Sequence, residues 1–348
     1  MKRVSVIIPH YNGIDILRAC LESLARSSYP DLEIVLVDNA STDGSADFVR
    51  QQFPAVRIVQ NEVNEGFAGG CNRGIEQASG DYLLILNNDT THNPDWIDHM
   101  VAVLEQDENI AAVQPKIMSA QDPSHFDYAG GAGGYIDLLG FPYALGRIFT
   151  TLEKDEGQYD DPREIFWASG TAFLVRREAL DQVGTFDEDF FAHMEEIDLC
   201  WRLLNAGWRI LSAPQAVIQH HSGWTLPPDR YLKKYLNHRN NLVMIIKNTP
   251  FAYLAFTLPA RIALEGVAFV FSALIRDWKR MAAILHSLGW NLFHPWLLLR
   301  KHLAARRQRV PQAVTRTMRR MEPGSIFFQY FLCRRRVASA IRQRRSES

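Results

Sequence analysis

Short apolar segments alternate with longer amphipathic segments along the first quarter of the chain. Four of the apolar segments have strand length, are rich in Val, Ile and Leu, and predict strands buried on both faces, at 4–9, 33–38, 56–60 and 82–87. Apolar residues recur at helical spacing from Leu17 to Leu24, and further helices are predicted at 41–52 and 67–78. This alternation predicts an α/β fold in which helices flank a mostly parallel sheet.

Polar residues follow three of these predicted strands directly, at 9–12, 38–39 and 87–89. Sheets of this kind bind their ligands at the carboxyl ends of the strands. We therefore expect the chemistry of the protein at this edge of the sheet.

The buried strand at 82–87 leads straight into Asn87, Asn88 and Asp89. Mg²⁺ and Mn²⁺ prefer oxygen ligands, often one or two carboxylates together with phosphate oxygens. Asp89 is suited to such a cation, and the amides of Asn87 and Asn88 can either ligate it weakly or donate to phosphate or sugar hydroxyls. The alternative interpretation is a polar turn that caps a helix before Pro94.

Two further segments have the composition of a nucleotide pocket. Asp38 ends the second strand, where a carboxylate can accept a hydrogen bond from a base, although a helix N-cap is an equally common use. The segment 61–75 carries four glycines around Asn64 and Asn72, and glycines let the backbone approach a phosphate or a sugar. Its spacing matches neither a dinucleotide-binding fingerprint nor a Walker A loop.

Acidic residues and histidines mark the second half of the candidate site. Glu195 and Glu196 precede a predicted helix, where one of them can act as a general base or simply cap the helix. His220 and His221 end a strand-like segment and are candidate metal ligands, although a histidine is more often structural. Between these regions and the first strands, the glycine-rich segment 121–161 predicts a mobile loop over the site.

The character of the chain changes after Tyr231. The segments 242–246 and 251–275 are apolar, but Pro259, Arg261 and Glu265 interrupt the second one. We therefore expect helices that lie in a membrane surface rather than cross it. Trp290 and Trp296, which stand beside basic residues, have the composition of a headgroup interface. The alternatives are packing on the rest of the protein or a dimer contact.

Charge is distributed unevenly along the chain. Residues 300–348 contain 14 Lys and Arg against 2 Asp and Glu, whereas residues 1–299 contain 24 against 37. A basic C-terminal segment on an acidic body predicts an anionic partner, and a membrane surface is the one we expect. The arginines lack the interleaved aromatic residues of a nucleic-acid site. Four scattered cysteines predict reduced thiols, and the short apolar N-terminal run predicts a strand rather than a signal peptide.

Seven motifs, in this order over roughly residues 3–240, resemble the family 2 glycosyltransferases, in particular the bacterial rhamnosyltransferase-like branch. They are SVIIPHYNG, VDNASTDGS, NEVNEGFAGGCNRGI, LLILNNDT, ASGTAFLVRREAL, FDEDFFAHMEEIDLCWRLLNAGW and HHSGWT. The resemblance implies a GT-A fold and inverting transfer of a sugar from a nucleoside diphosphate. It places a GT-A domain at 1–240. The apolar composition and the charge distribution of the rest of the chain predict a membrane-associating helical region at 241–300 and a basic tail at 301–348.

The resemblance assigns roles to residues of this chain motif by motif. Pro9, Tyr11 and Asp38 would contact the nucleoside, and Asn64, Gly66 and Asn72 would line the donor pocket. Asn87, Asn88 and Asp89 stand at the family's DxD motif, which holds the divalent cation, Mg²⁺ or Mn²⁺. His220 or His221 would be the metal-ligating histidine. Glu195 and Glu196 stand at the Glu-Asp motif, and Glu196 is expected to be the base. Two departures matter. Asn87 replaces the first aspartate of DxD, and Glu196 has a longer arm than Asp.

The hypothesis that follows is an inverting sugar transfer in cell-surface polysaccharide synthesis. The expected donor is dTDP-rhamnose, with UDP-sugars as the alternative, and the expected acceptor is a glycan or a polyprenyl-diphosphate-linked glycan. We expect a cytoplasmic protein, peripheral on the inner face of the cell membrane. A sugar-1-phosphate nucleotidyltransferase would need a glycine-rich basic loop where His10-Tyr11-Asn12-Gly13 stand. A non-catalytic glycan-binding scaffold is the third hypothesis, and the intact acids at 89 and 196 argue against it.

Overall fold

The computed structural model describes residues 2–221 and 230–341 and is built around an eight-stranded mixed sheet. The strand order in this sheet is β3-β2-β1-β4-β11-β6-β12-β5, and β7 to β10 form a second, antiparallel sheet. The strands are β1 (Val4–His10), β2 (Leu32–Asp38), β3 (Arg57–Gln60), β4 (Tyr82–Leu86), β5 (Thr90–His92), β6 (Ile110–Ser119), β7 (Gly134–Ile136), β8 (Pro142–Ala144), β9 (Arg147–Ile148), β10 (Thr151–Leu152), β11 (Ala172–Arg176) and β12 (Arg209–His220).

Helices cover the large sheet and continue to the C-terminal end of the described chain. They are α1 (Ile14–Leu24), α2 (Ser45–Gln52), α3 (Gly66–Gln77), α4 (Trp96–Leu104), α5 (Arg177–Val183), α6 (Glu195–Asn205), α7 (Tyr231–Asn248), α8 (Phe251–Leu274), α9 (Trp278–Phe293), α10 (Pro295–Arg307), α11 (Pro311–Arg320) and α12 (Ile326–Phe331). A short 3₁₀ turn at Glu188–Phe190 precedes α6.

The first half of the sheet is parallel, as its sequence pattern predicts. β1 pairs with β2 and β4 in parallel, and β2 pairs with β3 in parallel. The predicted strands at 4–9, 33–38, 56–60 and 82–87 all occur, with ends that differ by at most one residue. The side chains of β1 and β4 are buried because α1 and α4 pack on one face and α3 packs on the other. β3 is instead an edge strand with partly exposed side chains, so the expected burial on both faces is wrong there. The parallel strands therefore present their carboxyl ends along one edge.

The segment 121–161 forms the small antiparallel sheet rather than the predicted mobile loop. Its strands have two or three residues each, which is too short for an alternating pattern to identify them. The glycines mark close packing: a Cβ on Gly134 would overlap the indole of Trp167. Tyr135 and Tyr143 are buried and stack with ring centroids 5.8 Å apart. Glycine-rich composition here indicates tight contact and not mobility.

Helix α7 packs into the main core, so the chain beyond residue 240 is not a loose appendage. Met244 and Ile245 are fully buried in the same cluster as the strands. Lys247, also buried, forms ion pairs of 2.7 Å with Asp187 and 2.8 Å with Asp198. Lys301 of α10 adds a 2.6 Å pair with Asp187. Burying several charges in one hydrogen-bonded cluster fixes α7 and α10 against α6.

Helix α8 turns its charged residues towards the protein. Glu265 is buried and pairs with Arg261 at 2.7 Å and with His238 of α7 at 2.6 Å. Arg261 also donates to Asn241 at 2.9 Å. The two charged residues that interrupt the apolar pattern therefore lie on the protein-facing side, whereas Pro259 is exposed. Within the described chain, Phe251–Leu274 is the one helix with the length and apolar composition needed to cross a membrane.

The C-terminal segment, predicted as a basic tail from residue 301, packs on the GT-A part of the chain as far as Ile341. Met318 and Ile326 are buried in the main core. The backbone N–H of Ile326 donates to the buried Asp137 at 2.8 Å, and Arg320 pairs with Glu164. Arg342, Arg344 and Arg345 of the predicted tail lie outside the described residues.

Candidate active site

The nucleoside end of the candidate site lies where β1 and β2 end side by side. His10 is directly opposite Asp38 in the parallel register. The carboxylate of Asp38 is buried and accepts from the Ser41 N–H at 3.1 Å and from Gln60 Nε2 at 3.3 Å. α2 begins only at Ser45, so Asp38 holds a turn and does not cap that helix. Pro9 stands beside His10 on β1, and Tyr11 is 44% exposed just beyond the strand.

The glycine-rich segment brings the second half of the site towards this edge. Asn64 accepts from the Gly66 N–H at 2.9 Å, and the Gly66 carbonyl accepts from Asn39 at 3.1 Å. Gly66 has φ +74°, and a Cβ there would overlap the backbone of Phe191. The close approach required glycine, as the sequence indicated, but its immediate partner is protein backbone.

Asn72, predicted in the donor pocket, is buried on α3 with its amide occupied by the protein. Its Nδ2 donates to the Phe186 carbonyl at 2.9 Å and to Glu188 at 3.0 Å. Its Oδ1 accepts from the Phe186 N–H at 3.0 Å. The side chain therefore holds the turn that leads into α6, and a donor contact by Asn72 stays a prediction.

The three polar residues after β4 point into different parts of the site. Asn88 contacts His10 Nδ1 through its amide nitrogen at 2.7 Å. Asn87 donates its backbone N–H to the Thr171 carbonyl at 2.9 Å. Asp89 is buried, and its Oδ1 lies 3.1 Å from Nε2 of His220. These contacts connect the end of β4 to β1, β11 and β12.

His220, and not its neighbour, faces the carboxylate of Asp89. His221 instead donates its backbone N–H to the Asp89 carbonyl at 2.8 Å. On the other side of the ring, His220 Nδ1 lies 2.8 Å from the buried Asp127. Burial favours the neutral ring, but the hydrogen bonds to Asp127 and Asp89 outweigh it and raise the pKa of His220 to about 10. A carboxylate that orients a histidine in this way is the usual support of a metal-ligating imidazole.

The donor set of Asp89 and His220 fits a divalent cation that is shared with phosphate oxygens. A hard cation such as Mn²⁺ accepts a carboxylate and an imidazole and completes its shell with diphosphate oxygens and water. Among the described residues no group of three or more His, Cys, Asp or Glu is arranged to hold a metal alone.

Glu195 and Glu196 begin α6 and are held in an apolar surround. Each has a buried Oε2 that finds no hydrogen-bond partner among the described residues. Burial raises the pKa of Glu196 to about 7, against the opposing effect of nearby backbone N–H groups. Burial and the charge of Glu196 raise the pKa of Glu195 well above its usual range. A carboxyl group with a pKa near neutrality is suited to general-base chemistry.

The backbone that presents these glutamates is strained. Phe191, His193 and Met194 all have positive φ, at 62°, 71° and 73°, where non-glycine residues are uncommon. Asn240 of α7 stabilises this turn, because its Nδ2 donates to the carbonyls of Phe190, Ala192 and His193 at 2.8–2.9 Å. Neither the strain nor Asn240 has a local sequence signal.

Hydrogen bonds and packing thus connect all the predicted site segments at one edge of the sheet. Gly170 lies between Phe67 and Glu196, since a Cβ there would be 3.2 Å from the Phe67 ring and 3.8 Å from Glu196 Cβ. The adjoining Thr171 bonds Asn87. Asp127 is the site residue that sequence reasoning missed, because it lies in the segment predicted as a mobile loop. The motif residues that follow His221 lie outside the described residues.

Comparisons with known proteins match this arrangement. A family model described as glycosyl transferase family 2 matches residues 5–184. An N-acetylglucosaminyl-diphospho-decaprenol L-rhamnosyltransferase of Mycobacterium tuberculosis is 29% identical over 292 residues, which cover 78% of this chain and 94% of that protein. The O-antigen biosynthesis protein RfbC of Myxococcus xanthus is 30% identical over 226 residues, which cover 63% of this chain and 17% of that protein.

Two solved glycosyltransferases share the fold. The mannosyltransferase PcManGT from Pyrobaculum calidifontis, in complex with GDP-Man and Mn²⁺, aligns with a TM-score of 0.53 at 19% identity over 88% of this chain and 86% of that chain. GalNAc-T7 with UDP, GalNAc and Mn²⁺ aligns with a TM-score of 0.56 at 20% identity, over 70% of this chain and about half (48%) of that chain. The predicted GT-A fold is confirmed.

Proposed function

Because the chain belongs to the family 2 glycosyltransferases and is rhamnosyltransferase-like, we propose that it is an inverting transferase in cell-surface glycan synthesis. Its proposed donor is dTDP-rhamnose and its proposed acceptor is a diphospholipid-linked sugar. The observation that carries the proposal is the position of Glu196, whose unpartnered buried oxygen belongs to the same edge as Asp89 and His220. The relative from M. tuberculosis, named for a rhamnosyl transfer to such an acceptor, supports the choice of sugar and carrier.

In the proposed reaction Glu196 acts as the general base. Its carboxylate takes the proton of the acceptor hydroxyl while the hydroxyl oxygen forms a bond to the anomeric carbon. The bond from that carbon to the diphosphate oxygen breaks in the same displacement, and the nucleoside diphosphate leaves with the electron pair. Attack from the side opposite the leaving group inverts the anomeric configuration. The apolar surround of Glu196 supports this role, because it raises the carboxylate's affinity for the proton.

The donor diphosphate is assigned to the Asp89 end of the site. Asp89 and His220 would hold a divalent cation there, and Asp127 orients the imidazole. Asn87 and Asn88 are assigned to phosphate or sugar oxygens. A bound cation neutralises charge that develops on the diphosphate as it leaves. The nucleoside is assigned to the end of β1 and β2, at Pro9, Tyr11 and Asp38. Asn64 and Gly66 position the segment that connects this pocket to Glu196.

A lipid-linked acceptor accounts for the exposed apolar residues of the C-terminal helices. Phe256 of α8, Phe293 of α9 and Trp296 of α10 are each 80% exposed. Exposed basic residues are interspersed with them, at Arg276, Lys279, Arg300, Arg306 and Arg307. Apolar side chains of this size beside cationic ones suit the headgroup region of an anionic membrane. The protein is therefore assigned to the cytoplasmic face of the cell membrane, where nucleotide sugars are available.

The test is transfer by the full-length chain with dTDP-rhamnose, Mn²⁺ and N-acetylglucosaminyl-diphospholipid. The expected product is a disaccharide-lipid with an inverted anomeric linkage, detected by mass spectrometry and NMR, and EDTA should abolish its formation. UDP-glucose and UDP-N-acetylglucosamine serve as competing donors. Product from a UDP-sugar alone would replace the proposed donor. Failure to bind or turn over any of these donors would contradict the enzymatic function.

A further inference from the structure

Lys233 lies within electrostatic range of two other basic side chains from distant parts of the chain, Arg147 and His193. Arg147 begins β9 in the small sheet, His193 lies in the strained turn before α6, and Lys233 lies in the first turn of α7. Burial and the charge of Arg147 lower the pKa of Lys233. Burial and the charge of Lys233 lower the pKa of His193 to about 4. The cluster thus concentrates positive charge in a partly desolvated region.

Arg147 anchors this cluster to the metal end of the site. Its Nη1 donates to the Tyr128 carbonyl at 2.5 Å, and its guanidinium lies 4.0 Å from the centroid of the Tyr128 ring. Tyr128 follows Asp127, the residue that orients His220. Nε of Arg147 is buried and finds no hydrogen-bond partner among residues 2–221 and 230–341. Within those ranges Arg147 also forms no ion pair with a carboxylate.

This arrangement differs from that of the most deeply buried cations of the protein. Four Lys and Arg residues are less than a tenth exposed and each pairs with at least one carboxylate, namely Lys116, Arg202, Lys247 and Arg261. Such pairing offsets the cost of removing a charge from water. Arg147 has a carbonyl and an aromatic face instead, so its remaining donors are available to an anion from outside the chain.

His193 extends the same cluster towards the base. It stands three positions before Glu196, and its Nε2 is buried without a hydrogen-bond partner in the described structure. Asn240 holds its carbonyl at 2.8 Å, which fixes the turn with φ +71° at His193. A neutral imidazole here has one N–H to donate. The cluster therefore reaches from the neighbourhood of Asp127 to that of Glu196.

We propose that Arg147, with Lys233 and His193, binds the diphosphate of the lipid-linked acceptor. This assignment rests on the proposed function. In an acceptor with a single sugar on its carrier, the diphosphate is one sugar ring away from the attacking hydroxyl, so its site must lie close to Glu196. The donor diphosphate has a different site, at Asp89 and His220.

The packing of α7 also favours the acceptor over the donor. Tyr231, two positions before Lys233, contacts His286 of α9 through a 2.8 Å hydrogen bond, and Tyr235 stacks on the same ring at 4.3 Å. α9 ends in the exposed Leu292 and Phe293. A prenyl chain that leaves a diphosphate at Lys233 thus has an apolar helix beside it. The donor nucleoside, in contrast, is assigned to the end of β1 and β2.

The test compares two diphosphates on the full-length chain by equilibrium binding: farnesyl diphosphate in detergent, and dTDP with Mn²⁺. Farnesol reports the contribution of the prenyl chain alone. Arg147→Ala is expected to weaken farnesyl diphosphate binding by at least about tenfold, as for the loss of a charge-assisted hydrogen bond, and to leave dTDP binding within about twofold. Lys233→Ala, a change on α7 rather than in the small sheet, should act in the same direction.

Arg163→Ala is the matched control. Arg163 also lies over a tyrosine ring, 5.3 Å from the centroid of Tyr159, and donates to a backbone carbonyl. It lies beyond the small sheet, where its carbonyl accepts from Ser212 of β12. Its removal should change neither ligand's affinity. Thermal melting of each variant identifies loss of fold.

Three results would overturn the assignment. If the variants lose affinity for dTDP and for farnesyl diphosphate equally, the cluster binds the donor diphosphate instead. If Arg147→Ala and Lys233→Ala both bind dTDP and farnesyl diphosphate as tightly as the wild type, the cluster is not a diphosphate site. The same conclusion follows if the wild-type chain binds farnesol as tightly as farnesyl diphosphate. If the wild-type chain transfers sugar but one of these results is found, only the acceptor-diphosphate site is contradicted. If the wild-type chain binds no nucleotide and transfers no sugar, the proposed transferase function is contradicted as well.

Discussion

His220 Nε2 lies 3.1 Å from Asp89 Oδ1, although 131 residues separate the two positions in the chain. The contact forms because β12 pairs antiparallel with β5, which places His220 opposite Thr90 and so beside Asp89. β12 also pairs in parallel with β6, and this pairing brings Ser119 opposite His220, near the segment that contains Asp127. Strand pairing therefore assembles the candidate cation site from three separate parts of the sequence.

Substitution Asp89→Asn should remove the contribution of the cation to nucleotide binding. Loss of the charged ligand is expected to weaken dTDP binding in Mn²⁺ by about tenfold or more, since metal-ligand and supporting residues commonly contribute at least that factor. Isothermal titration with Mn²⁺ and with EDTA measures the difference. In EDTA the wild-type and variant chains should bind dTDP alike. An Mn²⁺-dependent gain that survives in Asp89→Asn would remove Asp89 from the cation site.

Substitution Glu196→Gln should abolish transfer while it preserves donor binding. General-base catalysis contributes roughly 10²–10⁴-fold, so kcat should fall by about that factor, and the affinity for dTDP should not change. Glu178→Gln is the matched control, because Glu178 also stands in the first turn of a helix but is exposed. Thermal melting at pH 8 should show no loss of stability in Glu196→Gln, since an amide avoids the cost of a buried carboxylate. Wild-type turnover in this variant would exclude Glu196 as the base.

The rate of transfer should depend on pH through the same group. Because burial raises the pKa of Glu196 to about 7, the carboxyl is protonated and inactive as a base below that pH. The value of kcat/KM for the acceptor is expected to rise by about tenfold per pH unit at low pH and to level near pH 7. Initial rates between pH 5 and pH 9, at constant ionic strength, report the midpoint. A midpoint at the ordinary value of a glutamate would show that the base is solvated and lies elsewhere.

The protein should bind vesicles through the exposed apolar residues of α9 and α10. Replacing Phe293 and Trp296 with serine removes two large side chains that are each 80% exposed, and each buried aromatic contributes about 2 kcal/mol. Flotation with vesicles that contain phosphatidylglycerol should fall to near background, and the thermal midpoint should stay unchanged. Phe173→Ser, a change in the sheet core, would instead destabilise the fold. Equal flotation of the double variant and the wild type would contradict membrane contact by these helices.

The C-terminal helices pack on the main core, so truncation cannot separate membrane binding from folding. A chain that ended at Asn241 would lose Val243, Met244 and Ile245 from the main core, so its behaviour with vesicles would report misfolding. Point changes at exposed positions leave that core intact.

The buried ion cluster under α7 should contribute several times as much to the free energy of unfolding as a surface ion pair does. Lys247→Met leaves Asp187 and Asp198 short of one cation each, and the expected loss is about 3 kcal/mol in the free energy of unfolding. Lys234→Met is the matched control, because Lys234 pairs with Asp277 in a more exposed position and should cost about 1 kcal/mol or less. Urea unfolding at pH 7 measures both. Similar losses for the two variants would mean that the cluster does not hold α7 in place.

Local patterns determined much of the first half of this protein. Apolar runs of strand length predicted the parallel strands, and β1 and β4 show why, because both are buried on both faces and long enough to give a continuous apolar run. The i, i+4 pair of Asp198 and Arg202 was equally local, and the structure has it at 3.0 Å. The types of residue needed for nucleotide sugar chemistry also stand where elements end or begin. Asp38 and Asp89 follow strands and Glu196 begins a helix, so these residues were recognisable candidates.

Tertiary structure decided which of these residues meet and what supports them. Asp127 reaches His220 across 93 positions, and Asn240 holds the turn at His193 across 47; no periodicity reports such pairs. Strands of two or three residues in the small sheet are too short to carry an alternating pattern, and its glycines serve packing. Arg261 and Glu265 interrupt an apolar run in the sequence, but their partners on α7 turn them inward, so the outer face of α8 stays apolar. Local sequence constrains the elements, whereas burial and long-range partners set the charge, orientation and exposure on which the site depends.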